Sequence, residues 1–286
     1  MKTFNYQELK DQLSKIEIKL EGDEVATYFD GRQKSRKTVS TRYEIFDFRP
    51  FVLQCIEEAM KHYTIAKYEL LIYKGVQEIR LYSETETING EEFTRAFYLI
   101  NSSDKSKALS FSYGLKHKNF HFISKKGSIT KKHYTGITEY VTDRVDMDDT
   151  IFQDQLEILK KIIGDKIYMS SVQQVVTESE VLAESKITLK RNLGNLCLSM
   201  YSTSHMTEMH EEDRKKLYVP YYAKDRVNDF TESGKDFMVD SFFVFKNYLK
   251  MFKDRDATTI KKESERIAKL SVISNRNSFI EELLQA

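Results

Sequence analysis

The spacing of apolar residues changes along the chain, and each spacing predicts a different kind of element. Residues 3–20 and 47–63 carry apolar side chains three or four positions apart, which is typical of amphipathic helices. From residue 68 to residue 124 the period is two, in runs rich in branched and aromatic residues. From residue 150 onward the helical period returns. Strands that cluster before helices indicate an α+β fold rather than an alternating α/β fold.

The runs of period two predict an antiparallel meander, because a short turn signal separates each run from the next. The predicted strands are 68–73, 76–82, 93–100, 107–115 and 120–124, and the turn signals include Asn89-Gly90 and residues 101–104. Gly114 lies inside a strand pattern and predicts a bulge. The Asn101-to-Asp104 motif has two interpretations. Its side chains can close a turn by bonding to nearby backbone groups, or they can take part in binding.

Helical spacing in the second half predicts helices at 151–163, 236–253, 258–270 and 277–285, with further helical pattern at 171–210. We therefore expect a meander sheet packed by the helices at 47–63 and 236–253, followed by a mostly helical C-terminal half. The chain has only 2 prolines and 10 glycines, so no linker is visible. The predicted division is an α+β domain with a basic hairpin at 1–145 and a helical region packed on it at 146–286, or one single domain.

The composition is typical of a folded cytoplasmic protein. Apolar residues make up 40% of the chain, which is too many for a disordered protein. Apolar runs such as 242–245 are too short to cross a membrane, and the first residues lack the apolar core of a signal peptide. Cys55 and Cys197 lie among apolar neighbours and indicate buried, reduced thiols. We expect a cytoplasmic location, in the host if the gene belongs to a phage.

A net charge of +1 conceals a strong separation of charges along the chain. Residues 105–138 contain eight lysines and no carboxylate, and residues 31–43 contain five basic side chains and no carboxylate. The following segment, 139–157, is rich in Asp and Glu. Basic segments of this kind indicate a surface that holds a polyanion.

Lysines that follow phosphates, beside aromatic rings that stack on bases, are what single-stranded nucleic-acid binding requires. A strand pair can supply both, because alternate side chains share one face. The predicted nucleic-acid-binding residues are Arg32, Lys34, Arg36, Lys37, Lys105, Lys107, Tyr113, Lys116, Lys118, Phe122, Lys125, Lys126, Lys131, Lys132 and His133. Two other interpretations stay open. The rings can face the core while the lysines meet solvent, or the basic segment 105–133 can pair with the acidic segment 139–157, within one chain or across a homo-oligomer.

The sequence lacks the motifs that announce catalysis or metal binding. It contains no GxxxxGK[ST] or GxGxxG phosphate loop and no HExxH helix. Asp146, Asp148 and Asp149 resemble calcium ligands, but the glycine that a calcium loop needs is missing. We therefore expect no cofactor, no metal and no catalytic residue. The expectation leans against an enzyme, with a nuclease built from scattered acids as the open alternative.

Residues 42–141 resemble the phage/plasmid-like protein family of unknown function. The resemblance is carried by RYEIFD (42–47), by FYLINSSDKSKALSFSYGL (97–115) and by KKHYTGITEY (131–140). The matching positions are Asn101, Ser102, Asp104, Lys107, His133 and Thr135. The family's cysteine-bearing stretch is replaced here by residues 120–122. The resemblance implies an origin in a mobile element and a part in DNA transactions, without fixing an activity.

Together these features predict a phage- or plasmid-borne, non-enzymatic protein that binds nucleic acid, with single-stranded DNA favoured. A role as an accessory in DNA annealing or recombination would fit. The alternative is a protein-interaction module, either a phage inhibitor of a host defence enzyme or an assembling structural protein. In that case the partner is a host protein or a second copy of the chain. No membrane partner is expected.

Overall fold

The chain divides into two compact units, and the first contains the two larger sheets. The computed structural model describes residues 1–39, 45, 47–104, 106–131, 149–168, 238–265 and 267–268. The first unit comprises residues 1–156 and 253–264, and the second comprises residues 157–252 and 265–286. The division predicted between residues 145 and 146 stays a prediction, because residues 132–148 lie outside the described part.

The first half of the chain folds as a mostly antiparallel β-structure with a few helices, in agreement with an α+β fold. Its elements are β1 (Lys2–Thr3), α1 (Tyr6–Ser14), β2 (Ile16–Glu21), β3 (Glu24–Phe29), β4 (Arg32–Thr38), α2 (Arg49–His62), β5 (Lys67–Tyr73), β6 (Val76–Ile88), β7 (Glu91–Ser102), β8 (Leu109–Lys116), β9 (His121–Ile123) and β10 (Ile129–Lys131). The large sheet has the order β1-β5-β6-β7-β8-β10, with β9 also beside β8, and β2-β3-β4 form a separate sheet. The predicted meander is confirmed.

The described residues do not support a mostly helical C-terminal half. They contain α3 (Thr150–Ile162), β11 (Lys166–Tyr168), β12 (Met238–Asp240), α4 (Ser241–Lys250) and α5 (residues 257–265). The helix predicted over 236–253 is therefore shorter, because residues 238–240 pair with β11 instead. It belongs to the second unit, so its predicted packing on the sheet stays a prediction. The helices predicted at 171–210 and 277–285 lie outside the described residues, and no described helix is long and apolar enough to span a membrane.

The first helix is shorter than predicted, because residues 16–20 belong to a strand. Asn5 caps α1, since its side-chain oxygen accepts a hydrogen bond of 2.9 Å from the backbone N–H of Glu8. The helix ends at Ser14, and β2 then pairs with β3 in an antiparallel hairpin. Apolar and polar residues alternate over residues 16–21, and this period of two, supported by the hairpin partner, prevails over the helical pattern.

One face of the large sheet carries the aromatic core of the first unit. Residues directly opposite one another on paired strands share a face, and Phe97 lies opposite Tyr113. Their ring centroids are 5.8 Å apart, and Phe152 of α3 lies 5.5 Å from Phe97. Tyr63, at the end of α2, lies 5.2 Å from Phe97. Both helices therefore contribute a ring to this face, which we call the aromatic face.

The opposite face of the same sheet is polar and largely buried. A row of Glu69, Arg80, Tyr98 and Ser112 crosses β5, β6, β7 and β8 on this polar face. The N-terminal end of α5 covers part of it, because Glu78 Oε2 accepts a hydrogen bond of 3.3 Å from the backbone N–H of Ala257. Arg80 Nη2 donates to the carbonyl oxygen of Arg255 at 3.0 Å. Residues far apart in sequence thus complete the polar face.

Gly114 marks a close approach between strands and not the predicted bulge. The pairing of β8 with β7 runs through Gly114 without a shift, whereas β6 and β7 shift register between Tyr82 and Thr85. A Cβ at Gly114 would lie 2.7 Å from the carbonyl oxygen of Phe122 and 2.8 Å from the ring of Tyr98. Any larger residue would therefore force β8 away from β9.

We expect the substitution Gly114→Ala to lower the free energy of unfolding by about 1–3 kcal/mol, because overpacking strains a closed core. Gly90→Ala is the comparison, since Gly90 has a φ of +84° and open space around its Cβ position. Its cost comes from backbone conformation alone, at about 1–2 kcal/mol. Urea denaturation measures both values. A Gly114→Ala protein as stable as the wild type would contradict the close approach.

Candidate anion-binding cleft

Four predicted binding residues lie on β4, an edge strand of the three-stranded sheet: Arg32, Lys34, Arg36 and Lys37. All four side chains are exposed, but two of them already contact carboxylates. Arg36 forms ion pairs with Glu21 and Glu24 of the same sheet. Lys37 Nζ lies 2.7 Å from Asp104 Oδ2. Exposed ion pairs contribute little stability, yet they reduce the charge that β4 offers to a polyanion.

Lysines of the second basic segment also meet carboxylates. The ion pairs are Lys107 with Asp256 at 3.1 Å, Lys118 with Glu91 at 3.7 Å, and Lys126 with Asp154. Asp154 belongs to the acidic segment 139–157, so this pair agrees with pairing of the two segments inside one chain. Lys125 is exposed, and Lys131 lies on β10. Lys105, Lys132 and His133 are outside the described residues.

The two predicted stacking residues lie in the core. Tyr113 is 1% exposed and belongs to the aromatic face, where it contacts Phe97 and Phe152. Phe122 is 3% exposed and lies opposite Leu115 on β8. Neither ring offers a surface to a base, so the stacking role predicted for them needs correction. The same alternation that put lysines outward placed these rings inward.

A cleft of about 530 Å³ brings together two of the predicted lysines with residues that the sequence pattern did not single out. It lies in the first unit and is lined by parts of β1, β5, β6 and the turn from β8 to β9. Five cationic side chains line it, namely Lys2, Arg80, Lys116, Lys118 and Lys253. Two carboxylates, those of Glu69 and Asp254, line it as well. This excess of positive charge makes the cleft the best candidate for binding an anion.

Arg80 is the most firmly held cation of the cleft. Its side chain is 7% exposed, and Nε donates a hydrogen bond of 2.7 Å to Glu78 Oε1. Burial alone would lower the pKa of Arg80, but the negative charge of Glu78 raises it further above its ordinary value. Burial raises the pKa of Glu78, and the bonds from Arg80, Tyr73 and the Ala257 backbone oppose that rise. The guanidinium therefore stays charged and keeps a fixed orientation.

His121 sits between Arg80 and Tyr98 as an uncharged ring. Its Nε2 lies 3.4 Å from Arg80 Nη1, and its Nδ1 lies 2.7 Å from the Tyr98 hydroxyl. Burial lowers the pKa of His121 to about 3, and the positive charges of Arg80 and Lys116 add to this effect. Because Arg80 donates to Nε2, we assign the proton of the neutral ring to Nδ1.

Lys116 is a partly buried cation of the cleft. Its Nζ lies 4.6 Å from the centroid of the Tyr82 ring and 3.0 Å from the sulfur of Met1. Among the described residues no carboxylate lies within ion-pair distance of it. Burial lowers the pKa of Lys116, the negative charge of Glu69 opposes that shift, and the positive charges of Lys67 and Arg80 add smaller contributions to it. An anion in the cleft would relieve this repulsion.

Sequence reasoning did not assign Arg80, His121 or Lys253 to an anion-binding site. Arg80 stands in a strand pattern (VQEIRLY), where an alternating polar residue usually meets solvent. Lys253 comes from a distant part of the chain, and no local signal connects it with β8. Among the described residues no cluster of three or more His, Cys, Asp or Glu is placed to hold a metal ion.

The motif from Asn101 to Asp104 is built into the fold. Asn101 Nδ2 donates to Gln77 Oε1 at 3.0 Å, and Ser103 Oγ donates to the carbonyl oxygen of Gly75 at 3.1 Å. Asp104 Oδ1 accepts from the backbone N–H of Ser106 at 2.9 Å. The bond of Asp104 closes the turn between β7 and β8, as the structural interpretation of the motif expects, whereas those of Asn101 and Ser103 join the end of β7 to β6 and to the turn before it. The motif does not line the cleft.

Comparison with known proteins adds no relative from which a role could be taken. No protein-family model matches the chain, and no curated protein or solved structure matches it either. The resemblance to the phage/plasmid-like family therefore stays a prediction.

We expect Asp104→Ala to lower the free energy of unfolding at pH 7 by about 1–3 kcal/mol, because it removes a nearly buried carboxylate that accepts from Lys37 Nζ and from the backbone N–H of Ser106. Burial alone would raise the pKa of Asp104, but the bonds from Lys37 and Ser106 outweigh it and lower the pKa. The stabilisation is therefore present above the unfolded pKa near 4 and is lost as the pH falls through the lower folded value. Denaturation of both proteins between pH 2 and about pH 7 measures the difference. Unchanged stability combined with lost ligand binding would show a binding role instead.

Proposed function

We propose that this chain binds nucleic acid, with single-stranded DNA favoured, through the cleft of the first unit. The lining carries the proposal: five cationic side chains and two carboxylates surround one concave space. Lys116 and Lys118 belong both to this lining and to the basic segment of the sequence. Phosphates that replace condensed counterions at such a site supply affinity without reading sequence. No catalytic step is part of the proposal.

The size of the cleft favours an unpaired strand over a duplex. A volume of about 530 Å³ is in the range of pockets for small ligands and accepts one nucleotide-sized group at a time. A duplex would have to lie across the rim, where Lys2 pairs with Glu8 and Lys118 pairs with Glu91. Since Tyr113 and Phe122 are buried, binding through the phosphate backbone should tolerate many base sequences.

A protein partner is the second candidate. Arg36, Lys107 and Lys126 contact carboxylates of this chain. The same side chains could bind carboxylates of a host protein or of a second copy. The mobile-element origin implied by the family resemblance is compatible with either partner.

A salt-dependent titration of fluorescent single-stranded and double-stranded oligonucleotides tests the nucleic-acid proposal. We expect tighter binding of the single strand, with log K falling by roughly 0.7 per phosphate contact for each unit of log salt concentration. Lys116→Gln should weaken binding of all sequences alike and reduce the slope by roughly 0.7, because one phosphate contact is removed.

Lys61→Gln is the matched control, since Lys61 is 66% exposed, pairs with Glu58 on α2 and does not line the cleft. It should leave affinity and slope unchanged. A double substitution of Lys125 and Lys126 separates the cleft from the hairpin. If that variant alone reduces the slope, the hairpin and not the cleft is the binding surface. If neither polymer binds at low salt, the protein-partner candidate replaces this one.

A further inference from the structure

We infer that the bottom of the cleft binds one phosphomonoester group, held by the outer N–H groups of Arg80 and by the ammonium group of Lys116. This inference rests on the proposed function for the molecule that carries the group. In that case the group is the terminal phosphate of an unpaired strand. A free phosphorylated small molecule has the same chemistry.

Arg80 is prepared for a two-point contact before any ligand arrives. A guanidinium has five N–H groups. The described contacts use three of them, those to Glu78 at 2.7 Å, to Arg255 at 3.0 Å and to His121 at 3.4 Å. One N–H on each terminal nitrogen then has no hydrogen-bond acceptor among the described residues, and Glu69 Oε2 lies 4.0 Å from Nη1. Such a planar pair matches two oxygens of a phosphate, and the fixed orientation lowers the entropy lost on binding.

The charge at the bottom of the cleft fits a dianion. Lys116 and Arg80 line the same cleft, together with three further cations and two carboxylates. A phosphomonoester carries about −1.5 to −2 charges at neutral pH, whereas each phosphodiester carries one. A lining with five cations and two carboxylates is therefore balanced best by a strand end or by a free monoester.

The surroundings argue against a long phosphate track. Lys37, Lys107, Lys118 and Lys126 each lie within ion-pair distance of a carboxylate of this chain. A strand that ran along these residues would have to displace each pair, and little affinity would be gained. Lys116, in contrast, has no carboxylate at ion-pair distance among the described residues, which favours recognition of one group at its position.

His121 is a positioning residue in this site. As a neutral ring it accepts from Arg80 through Nε2 and contacts the Tyr98 hydroxyl through Nδ1, so it orients the guanidinium without adding charge. Tyr98 is fully buried, so the hydroxyl group that contacts His121 is held in place. The arrangement resembles the ordinary way in which a second residue holds an arginine ready for an anion.

The experiment compares three ligands by equilibrium titration against the full chain. They are an oligonucleotide with a 5′-phosphate, the same oligonucleotide with a 5′-hydroxyl, and a nucleoside 5′-monophosphate. We expect the phosphorylated strand to bind about tenfold or more tightly than the hydroxyl strand, since charge-assisted hydrogen bonds differ by this order. The monophosphate should compete with the phosphorylated strand.

Two variants locate the effect. Arg80→Lys keeps the charge but loses the planar pair of donors, so the preference for the phosphate end should disappear. Arg80→Lys disturbs a buried ion pair, so its fold must be checked by circular dichroism and a second variant is needed. That variant is Lys116→Gln, which should reduce the preference for the phosphate end about tenfold. Lys61→Gln should preserve the preference.

The outcomes separate this inference from the proposed function. Equal binding of phosphorylated and hydroxyl strands overturns the phosphomonoester site and leaves nucleic-acid binding standing. Binding of the monophosphate without binding of either oligonucleotide supports the site with a small-molecule source and removes the nucleic-acid proposal. A preference for the phosphate end that survives in Arg80→Lys and Lys116→Gln also overturns the inference.

Discussion

The buried ion pair between Glu78 and Arg80 connects the sheet, the last described helix and the cleft. The two residues are two apart on β6, so the strand period puts both on the polar face. Glu78 is fully buried and accepts from Arg80, from the Tyr73 hydroxyl and from the backbone N–H of Ala257. A buried carboxylate is tolerated only when its oxygens are paired in this way. The pair therefore requires α5 in its observed position.

The same ion pair explains why the two faces of the large sheet have different roles. The aromatic face, with Phe97 and Phe152, removes large apolar surfaces from water and supplies the stability of the first unit. The polar face holds charges whose desolvation is offset by mutual contacts, which contributes little net stability. What the polar face contributes is orientation, because Arg80 is fixed from three sides. A sheet with two apolar faces would pack α5 as well but would offer no anion site.

The meander was predictable because the physics that forms it is local. Alternating apolar residues and turn signals such as Asn89-Gly90 lie within a few positions of each other, and the strands follow them. β6 nevertheless continues to Ile88, beyond its predicted end at residue 82. Its outer part is polar, and there Thr85 forms a side-chain hydrogen bond with Thr94 across the hairpin. The sequence shows a strand's apolar part more clearly than its exposed end.

The candidate site was only half predictable, because its chemistry depends on contacts between distant residues. Lys116 and Lys118 were indicated by the density of lysines. Arg80 was not, because an alternating polar residue in a strand usually points to solvent, and only α5 turns that face into an interior. The hydrogen bond that Glu78 accepts from the α5 backbone joins positions 179 residues apart, and no local pattern records it.

Charge separation along a sequence and charge separation on a surface are different properties. The basic segments predicted a continuous positive surface, but folding brings Lys37 to Asp104, 67 residues away, and Lys126 to Asp154, 28 residues away. Each such contact removes one charge from the field that a distant polyanion would meet, while adding little stability of its own. Lys116 is a lysine of that segment with no carboxylate at ion-pair distance among the described residues. The position of the acids in the fold, more than the number of lysines in a segment, therefore determines where positive charge stays uncompensated.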